Sequence, residues 1–145
     1  MTTSDALARR CAGVMWEDDN ASKWLGMKIE SVSEGHAVLS MQVSAQMVNG
    51  HDICHGGFIF SLADSAFAFA CNSQNHNAVA ASCSIDYIRP ALVNDVLTAD
   101  AKVLHQGGRN GLYDVRVSNQ QGDVIAQLRG RSARTKGQLI SEEDL

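Results

Sequence analysis

The 145-residue sequence has a single proline, Pro90, and only 19% of its residues are charged. Disordered chains are rich in proline and charge, so this composition, with 45% hydrophobic residues, indicates one compact globular domain. Basic runs are also lacking and the net charge is −4, which argues against nucleic acid as a partner. No apolar run is long enough to cross a bilayer, so we expect no membrane partner.

Closely spaced cysteine pairs are absent, although the sequence contains four cysteines: Cys11, Cys54, Cys71 and Cys83. Because isolated cysteines are more often buried thiols than disulfide partners, we expect free thiols and a reducing compartment. The first residues also lack the basic residues and the apolar core of a signal peptide. These two absences predict a cytoplasmic protein.

The last residues, 138–145, look like the tail of a common epitope tag. On this interpretation three of the 16 acidic residues are not native. We therefore expect a single domain with an N-terminal helix over residues 1–137, and residues 138–145 are left out of the fold reasoning as a tag-like tail.

The most informative segment runs from Phe58 to Cys71, a helix-forming block that contains one carboxylate, Asp64. A helix that is apolar on every side must be buried, so its far side needs a long loop or a second subunit as cover. An ionised Asp64 inside this helix is unfavourable unless hydrogen bonds or a functional site use the charge. The alternative to a functional role is that Asp64 reaches solvent or binds a neighbouring chain end. Phe60, Phe67 and the alanines, however, leave no easy route to solvent.

Around this block the hydrophobic spacing predicts an amphipathic helix from Ser4 to about Asp19 and a strand after Gly35. After the block the apolar residues recur at every second position, which predicts four strands over residues 81–87, 97–103, 113–117 and 124–128. One-sided strands need an apolar cover. The sheet is therefore expected to wrap around the apolar helix in an α+β fold.

Two glycines, Gly56 and Gly57, stand where the chain enters the apolar helix. Backbone N–H groups are unpaired at a helix start and the helix dipole is positive there, so this turn suits an anion. Because the glycines have no side chains, a carbonyl under attack can bring its developing oxyanion close to the backbone.

Asp64 lies eight residues beyond Gly56, or about 12 Å along the helix axis. One substrate carbonyl cannot touch both features, because a reaction centre needs its base and its oxyanion donor each within about 3 Å. Either the two features are unrelated, or a second copy of the chain supplies the missing half. Two such helices, antiparallel across a two-fold axis, would set Asp64 of one beside Gly56 of the other.

The loop before the glycines contains His51 and His55, with Asp52 and Cys54 between them. No second ligand group with zinc-type spacing occurs, so no metal site is predicted. A purely structural alternative for His55 is a buried histidine that closes the turn. Cys54 has no neighbouring base in the sequence to activate it, so a small buried thiol is favoured over a nucleophile.

Three segments carry a resemblance to a known family: Asn49–Gly57, Leu62–Asp64 and Ile85–Ala91. They resemble the hotdog-fold acyl-CoA thioesterases of the PaaI type, which act in aerobic phenylacetate degradation. The match extends from about Trp16 to about Arg134, and the nine-residue step from His55 to Asp64 is its most specific part.

This resemblance implies a hotdog fold, in which an antiparallel sheet wraps around one long central helix. It implies homodimers, often paired into tetramers, with the pantetheine arm of coenzyme A entering between subunits. The implied substrates are phenylacetyl-CoA and its ring-hydroxylated relatives, hydrolysed to the free acid and CoA. We expect no metal and no redox cofactor, because coenzyme A is part of the substrate.

The resemblance also implies roles for four residues of the reaction centre. The Asp64 carboxylate acts as nucleophile or general base. The backbone N–H of Gly56 forms the oxyanion hole, helped by the side chain of Asn49. His55 orients the turn that leads into the helix.

Four further residues are expected to bind substrate: Gly57, Ser65, Ser82 and Arg89. Relatives place a Ser or Thr of the next strand near the attacking water, and this position falls near Ala80, so only the neighbouring Ser82 is available. Arg89 is a candidate for the phosphates of coenzyme A, and its alternative is a solvated strand end.

Two other functions compete with the thioesterase hypothesis. A hotdog module that binds acyl-CoA without cleaving it would use the same pocket, and release of free thiol separates it from an enzyme. A hydratase or dehydratase on a similar fold would carry a differently spaced Asp and His pair, which this sequence lacks.

Overall fold

The computed structural model describes residues 3–145, so Met1 and Thr2 of the predicted domain lie outside the described part of the chain. Its α-helices are α1 Thr3–Glu17, α2 Asn20–Trp24 and α3 Gly56–Cys71. Its strands are β1 Lys28–Ser33, β2 His36–Gln42, β3 Ala78–Tyr87, β4 Val96–Gln106, β5 Asn110–Ser118 and β6 Val124–Arg134. Short 3-10 turns span Ala45–Met47 and Glu142–Asp144.

The six strands form one antiparallel sheet in the order β1-β2-β4-β5-β6-β3. The helix α3 packs against this sheet, and its Leu62, Phe67 and Phe69 are at most 1% exposed. Leu39 of β2 and Leu97 of β4 belong to the same buried cluster. Each large apolar side chain buried in this way stabilises the fold by about 1.5–3 kcal/mol. The predicted α+β fold, with an antiparallel sheet around one long helix, is confirmed.

Two elements differ from the sequence-based prediction, which has one strand before the apolar helix. Strand β1 was missed because only one of its residues, Val32, is buried. A strand with one buried residue shows no alternation of apolar and polar residues in its sequence. Helix α2 was missed because five residues are too few to show a helical period. Asp19 caps α2 by accepting a hydrogen bond from the backbone N–H of Ser22 at 3.0 Å.

The N-terminal helices cover part of the side of α3 that faces away from the sheet. Trp16 of α1 contacts Phe69, with ring centroids 6.2 Å apart. The hydroxyl of Ser22 in α2 lies 2.9 Å from that of Ser65 in α3. Half of the residues of α3 are nevertheless not buried, and they include Phe60, Ser61, Asp64 and Ala68. The single chain therefore leaves a strip of its central helix uncovered.

The cysteines agree with the sequence-based prediction, because all four are free thiols. Cys11, Cys54 and Cys71 are buried and Cys83 is half-buried. Within residues 3–145, no helix combines the length and the apolar character that crossing a bilayer requires.

The tag-like segment 138–145, which was left out of the fold reasoning, contacts the domain through its middle residues. Ile140 is 7% exposed. The Asn75 side chain donates to the Ile140 carbonyl at 2.9 Å and accepts from its N–H at 2.8 Å. Arg10 of α1 donates to the Asp144 carbonyl at 2.6 Å. The origin of this segment stays a prediction, but its middle belongs to the packed structure.

Gly130 of β6 provides a test of the core, because it lies directly against the ring of Phe67. A Cβ atom at Gly130 would be 2.6 Å from Phe67 Cε2. Gly130→Ala is therefore expected to lower the free energy of unfolding by about 1–3 kcal/mol, since the enclosed ring has little room to move. Urea denaturation followed by circular dichroism measures this loss.

The matched control is Gly13→Ala in α1, where an added methyl group meets nothing within 4 Å. This change is expected to leave stability unchanged or to raise it, because alanine is the better helix former. If Gly130→Ala were as stable as the wild-type protein, the tight contact with Phe67 would be contradicted.

Candidate active site

The start of α3 is held by the residue before it, His55. Its Nδ1 accepts a hydrogen bond from the Gly57 N–H at 2.9 Å, which makes His55 the N-cap of the helix. The His55 side chain is exposed, so it is not the buried histidine that the sequence offered as an alternative. The N–H of Gly56, the first helical residue, donates to no acceptor within residues 3–145. A free donor therefore stands at the positive end of the helix dipole.

Asn49 lies in the loop that leads to this helix start, and its side-chain oxygen is already used. The Oδ1 atom accepts from the backbone N–H of His51 at 2.9 Å and of Ile53 at 3.4 Å. Its Nδ2 group has no acceptor in the described part of the chain. The loop thus decides which way the Asn49 amide faces and leaves its N–H bonds to a bound molecule.

Gly56 and Asn49 line one pocket of about 490 Å³. The rest of its lining is mostly apolar: Ile53, Cys54, Ile59, Tyr87, Ile88, Arg89 and Pro90. Arg89 is its only charged lining residue. A pocket of this kind suits an apolar molecule with a carbonyl oxygen that accepts hydrogen bonds at one end.

Asp64 is half-buried on α3, and its carboxylate has no hydrogen bond or ion pair with any residue of the described chain. Burial raises the pKa of the Asp64 carboxyl above its usual value. The sequence alone left the direction of this shift open, because neighbouring N–H donors would have lowered the pKa. A carboxylate that lacks partners is a stronger base than a paired one, which suits proton abstraction or nucleophilic attack.

The cysteine thiols are poor candidates for a nucleophile. Burial raises the pKa of Cys54 to about 11. The pKa of Cys71 rises to about 12, first through burial and then through the nearby charge of Asp64. These thiols stay protonated at neutral pH, and a protonated thiol is a weak nucleophile. The interpretation of Cys54 as a small buried thiol therefore agrees with its surroundings.

The structure brings some of the predicted site residues together and keeps others apart. Gly56, Asn49 and Arg89 share the pocket, and His55 supports its edge. Asp64 is eight residues from Gly56 on one straight element, so the two stay about 12 Å apart along the axis. Within one chain the carboxylate and the free amide cannot act on the same carbonyl.

The predicted substrate-binding residues have varied surroundings. The Gly57 N–H is occupied by His55. Ser65 lies against Ser22, whose hydroxyl donates to Asp19 Oδ2 at 2.7 Å, so Ser65 ties α3 to α2 and is not part of the pocket.

Two further predicted residues lie outside the helix. Ser82 is exposed on β3 beside a bulge between Ala80 and Ser82. Arg89 pairs with Asp123 at 3.4 Å, and both side chains are exposed, so the pair is weak and easily exchanged for another anion.

The contact that Tyr87 makes in the pocket was not predicted from the sequence, where Tyr87 belongs to a predicted strand and to the family-like segment Ile85–Ala91. Its hydroxyl donates to the Gly56 carbonyl at 2.9 Å. The two residues are 31 positions apart, so no local pattern signals the contact. No group of three or more potential metal ligands clusters among the described side chains.

Comparisons with known proteins agree with this geometry. A family model for the Thioesterase superfamily matches residues 51–126. The chain is 52% identical to the acyl-coenzyme A thioesterase PaaI of Escherichia coli over 131 residues, which are 90% of this chain and 94% of that protein.

Solved structures are similar as well. The E. coli PaaI protein from the phenylacetic acid degradation operon superimposes with a TM-score of 0.93 at 50% identity, covering 94% of this chain and 99% of that one. A Streptococcus mutans protein bound to acetyl-CoA gives a TM-score of 0.75 at 27% identity, covering 77% and 90%.

The raised pKa of Asp64 predicts an effect on stability. Because the folded state raises the pKa, it favours the protonated acid, and this contribution is lost as the pH rises through the raised pKa. Asp64→Asn removes the ionisation, so its Tm at pH 7 is expected to equal or exceed that of the wild-type protein. The difference should shrink towards zero below about pH 4.

Thermal unfolding of both proteins across a pH series measures this difference. A clearly lower Tm of Asp64→Asn at neutral pH would contradict the unpartnered state of the carboxylate, because it would mean that bonds to the charge stabilise the fold.

Proposed function

The chain belongs to the Thioesterase superfamily, and from this premise we propose that it is an acyl-CoA thioesterase of phenylacetate degradation. It hydrolyses acyl-CoA thioesters to the free acid and CoA. The observation that carries the proposal is the Gly56 amide, unpaired and open to an apolar pocket, in a chain 52% identical to an acyl-CoA thioesterase. The preferred substrates are phenylacetyl-CoA and its ring-hydroxylated relatives, which the mostly apolar lining supports.

The thioester carbonyl oxygen accepts a hydrogen bond from the Gly56 N–H in the proposed mechanism. Negative charge collects on that oxygen when the carbonyl carbon is attacked, and the helix dipole and the Asn49 Nδ2 group stabilise it. The C–S bond then breaks, and CoA leaves as a thiolate that takes up a proton. The donors are already in place before the reaction, so little reorganisation is needed.

Asp64 of a second copy supplies the attacking group. As a base it takes a proton from water, whose oxygen attacks the carbonyl carbon; as a nucleophile it forms a mixed anhydride that water then hydrolyses. Both routes consume one water and need no metal or redox cofactor. The half-buried carboxylate without partners supports this role, and its separation from Gly56 within one chain supports the need for a second copy.

A homodimer is the simplest assembly that meets this need. Strand β3 lies at the edge of the sheet and is paired only with β6. Its side chains are largely exposed and include Val79 at 54%. An open, partly apolar edge next to an uncovered strip of α3 favours association with another copy across a two-fold axis. Pairing of two such dimers into a tetramer and a cytoplasmic location remain predictions.

The activity prediction concerns Asp64 and Asn49. Asp64→Asn keeps the shape of the side chain but not its basicity, so thiol release from phenylacetyl-CoA should fall by about 100- to 10,000-fold. Asn49→Asp keeps the loop oxygen but puts a negative charge where a donor stood, so a loss of about 100- to 1000-fold is expected. Free thiol is measured with a thiol reagent. Asp18→Asn, an exposed change remote from the pocket, is the control.

A mixture of these two weak variants tests the shared site. Random pairing makes half of the dimers hybrid, and each hybrid has one site with both native groups, so about a quarter of wild-type activity should return after joint refolding. If the mixture stays as inactive as its components, the site does not span two chains. If Asp64→Asn alone keeps most of its activity, Asp64 is not the catalytic acid. If wild-type protein binds acyl-CoA but releases no thiol, the non-catalytic module is the correct function.

Arg89 is proposed to bind the phosphates of coenzyme A at the rim of the pocket. Arg89→Ala should raise KM by about 3- to 10-fold with little change in kcat, because the group is exposed and far from the bond that breaks. The effect should shrink at high salt. Asp123→Asn frees Arg89 from its partner and is expected to lower KM or leave it unchanged. An unchanged KM in Arg89→Ala at low salt would refute the contact.

A further inference from the structure

The side chain of Tyr87 lies directly against the backbone of Gly56. The Tyr87 hydroxyl donates to the Gly56 carbonyl at 2.9 Å. A Cβ atom at Gly56 would lie 3.0 Å from the Tyr87 Cζ atom and 3.1 Å from its hydroxyl oxygen. The aromatic ring therefore occupies the space that any side chain at position 56 would need. Burial raises the pKa of the Tyr87 phenol, so the hydroxyl keeps the proton that it donates.

The other end of the same peptide group is held by His55. The peptide that joins Gly56 to Gly57 has the Gly56 carbonyl at one end and the Gly57 N–H at the other, and this N–H donates to His55 Nδ1 at 2.9 Å. A Cβ atom at Gly57 would lie 3.0 Å from that nitrogen. Each glycine thus makes room for the side chain that binds the peptide between them.

This double contact matters because glycine has the least restricted backbone of all residues. The direction of the Gly56 N–H relative to the Gly56–Gly57 peptide depends on the two backbone dihedrals of Gly56. His55 precedes Gly56 and binds the N–H that follows it, so this bond closes a ring that contains both dihedrals, while Tyr87 holds the carbonyl of the same peptide. Together the two contacts remove much of the freedom that two successive glycines would otherwise give to the helix start. An oxyanion donor is effective when it is held in place before charge develops.

We propose that Tyr87 is a positioning residue that, together with His55 on the opposite side, holds the Gly56–Gly57 peptide and so fixes the direction of the Gly56 amide. This inference rests on the proposed function, because it concerns the donor for the thioester oxygen. Tyr87 acts through the backbone of Gly56. It makes no bond to the reacting atoms and gives up no proton during the reaction.

Tyr87→Phe tests the role, because it removes the hydrogen bond and keeps the ring against Gly56. The kcat for phenylacetyl-CoA hydrolysis should fall by about 5- to 20-fold, less than for loss of a donor, because the donor remains but is held less well. The KM should stay within about twofold, since the ring still lines the pocket. The Tm and the molecular mass in solution should be unchanged.

Tyr113→Phe is the matched control, since Tyr113 is the other tyrosine of the chain. Its hydroxyl donates to Gln106 at 3.0 Å, away from the pocket. The same loss of one hydroxyl should leave kcat unchanged there. A fall in kcat for Tyr87→Phe alone supports the role of its hydroxyl in positioning.

Two results would overturn the inference. One is a kcat of Tyr87→Phe within about twofold of the wild-type value; the other is a raised KM at unchanged kcat, which would make Tyr87 a wall of the pocket only. Asp64→Asn in the same assay separates the positioning role of Tyr87 from the proposed thioesterase function. If wild-type protein is active and Asp64→Asn is not, an active Tyr87→Phe refutes only the role of Tyr87. If the wild-type protein releases no thiol, the proposed function fails as well.

Discussion

Burial of α3 against the sheet is the constraint on which the other features of this protein depend. The helix packs against all six strands of the sheet, and its backbone groups bond to one another along the helix, so unpaired N–H and C=O groups occur only at its ends. At the first end Gly56, whose N–H is unpaired within residues 3–145, lines a pocket. On the side left uncovered by α1 and α2, the same helix carries Asp64. The way α3 is buried therefore leaves both the Gly56 N–H and the Asp64 carboxylate without a partner in the described chain.

The glycine pair at the start of α3 has two roles that do not compete. Without side chains, Gly56 and Gly57 leave room for the substrate carbonyl that the proposed mechanism brings to the backbone. They also admit Tyr87 and His55, which bind the peptide group between them. A flexible backbone is therefore used where a close approach is needed, and its flexibility is limited by two hydrogen bonds from outside the helix.

Asp64, the proposed catalytic acid, illustrates how a functional group can conflict with stability. Its carboxylate is half-buried without a hydrogen bond in the described chain, and the resulting rise in pKa means that the folded state disfavours the charge. Such groups persist where chemistry requires a reactive base. The distance of about 12 Å between Asp64 and Gly56 adds a second demand, because in the proposed mechanism the two halves of the reaction centre come from different copies.

Much of this protein was determined by its sequence, because periodicity is a local property. The apolar run from Phe58 to Cys71 and the period-two segments before and after it predicted the central helix and five of the six strands, and the glycines and Asp64 marked the candidate site. Strand β1, with one buried residue, left no such pattern. Only the tertiary structure decided which groups meet: Tyr87 on Gly56, Ser65 on Ser22, and Ile140 on Asn75. These contacts join residues 31 to 65 positions apart, and pairings over such distances depend on how the elements pack, which no local pattern encodes.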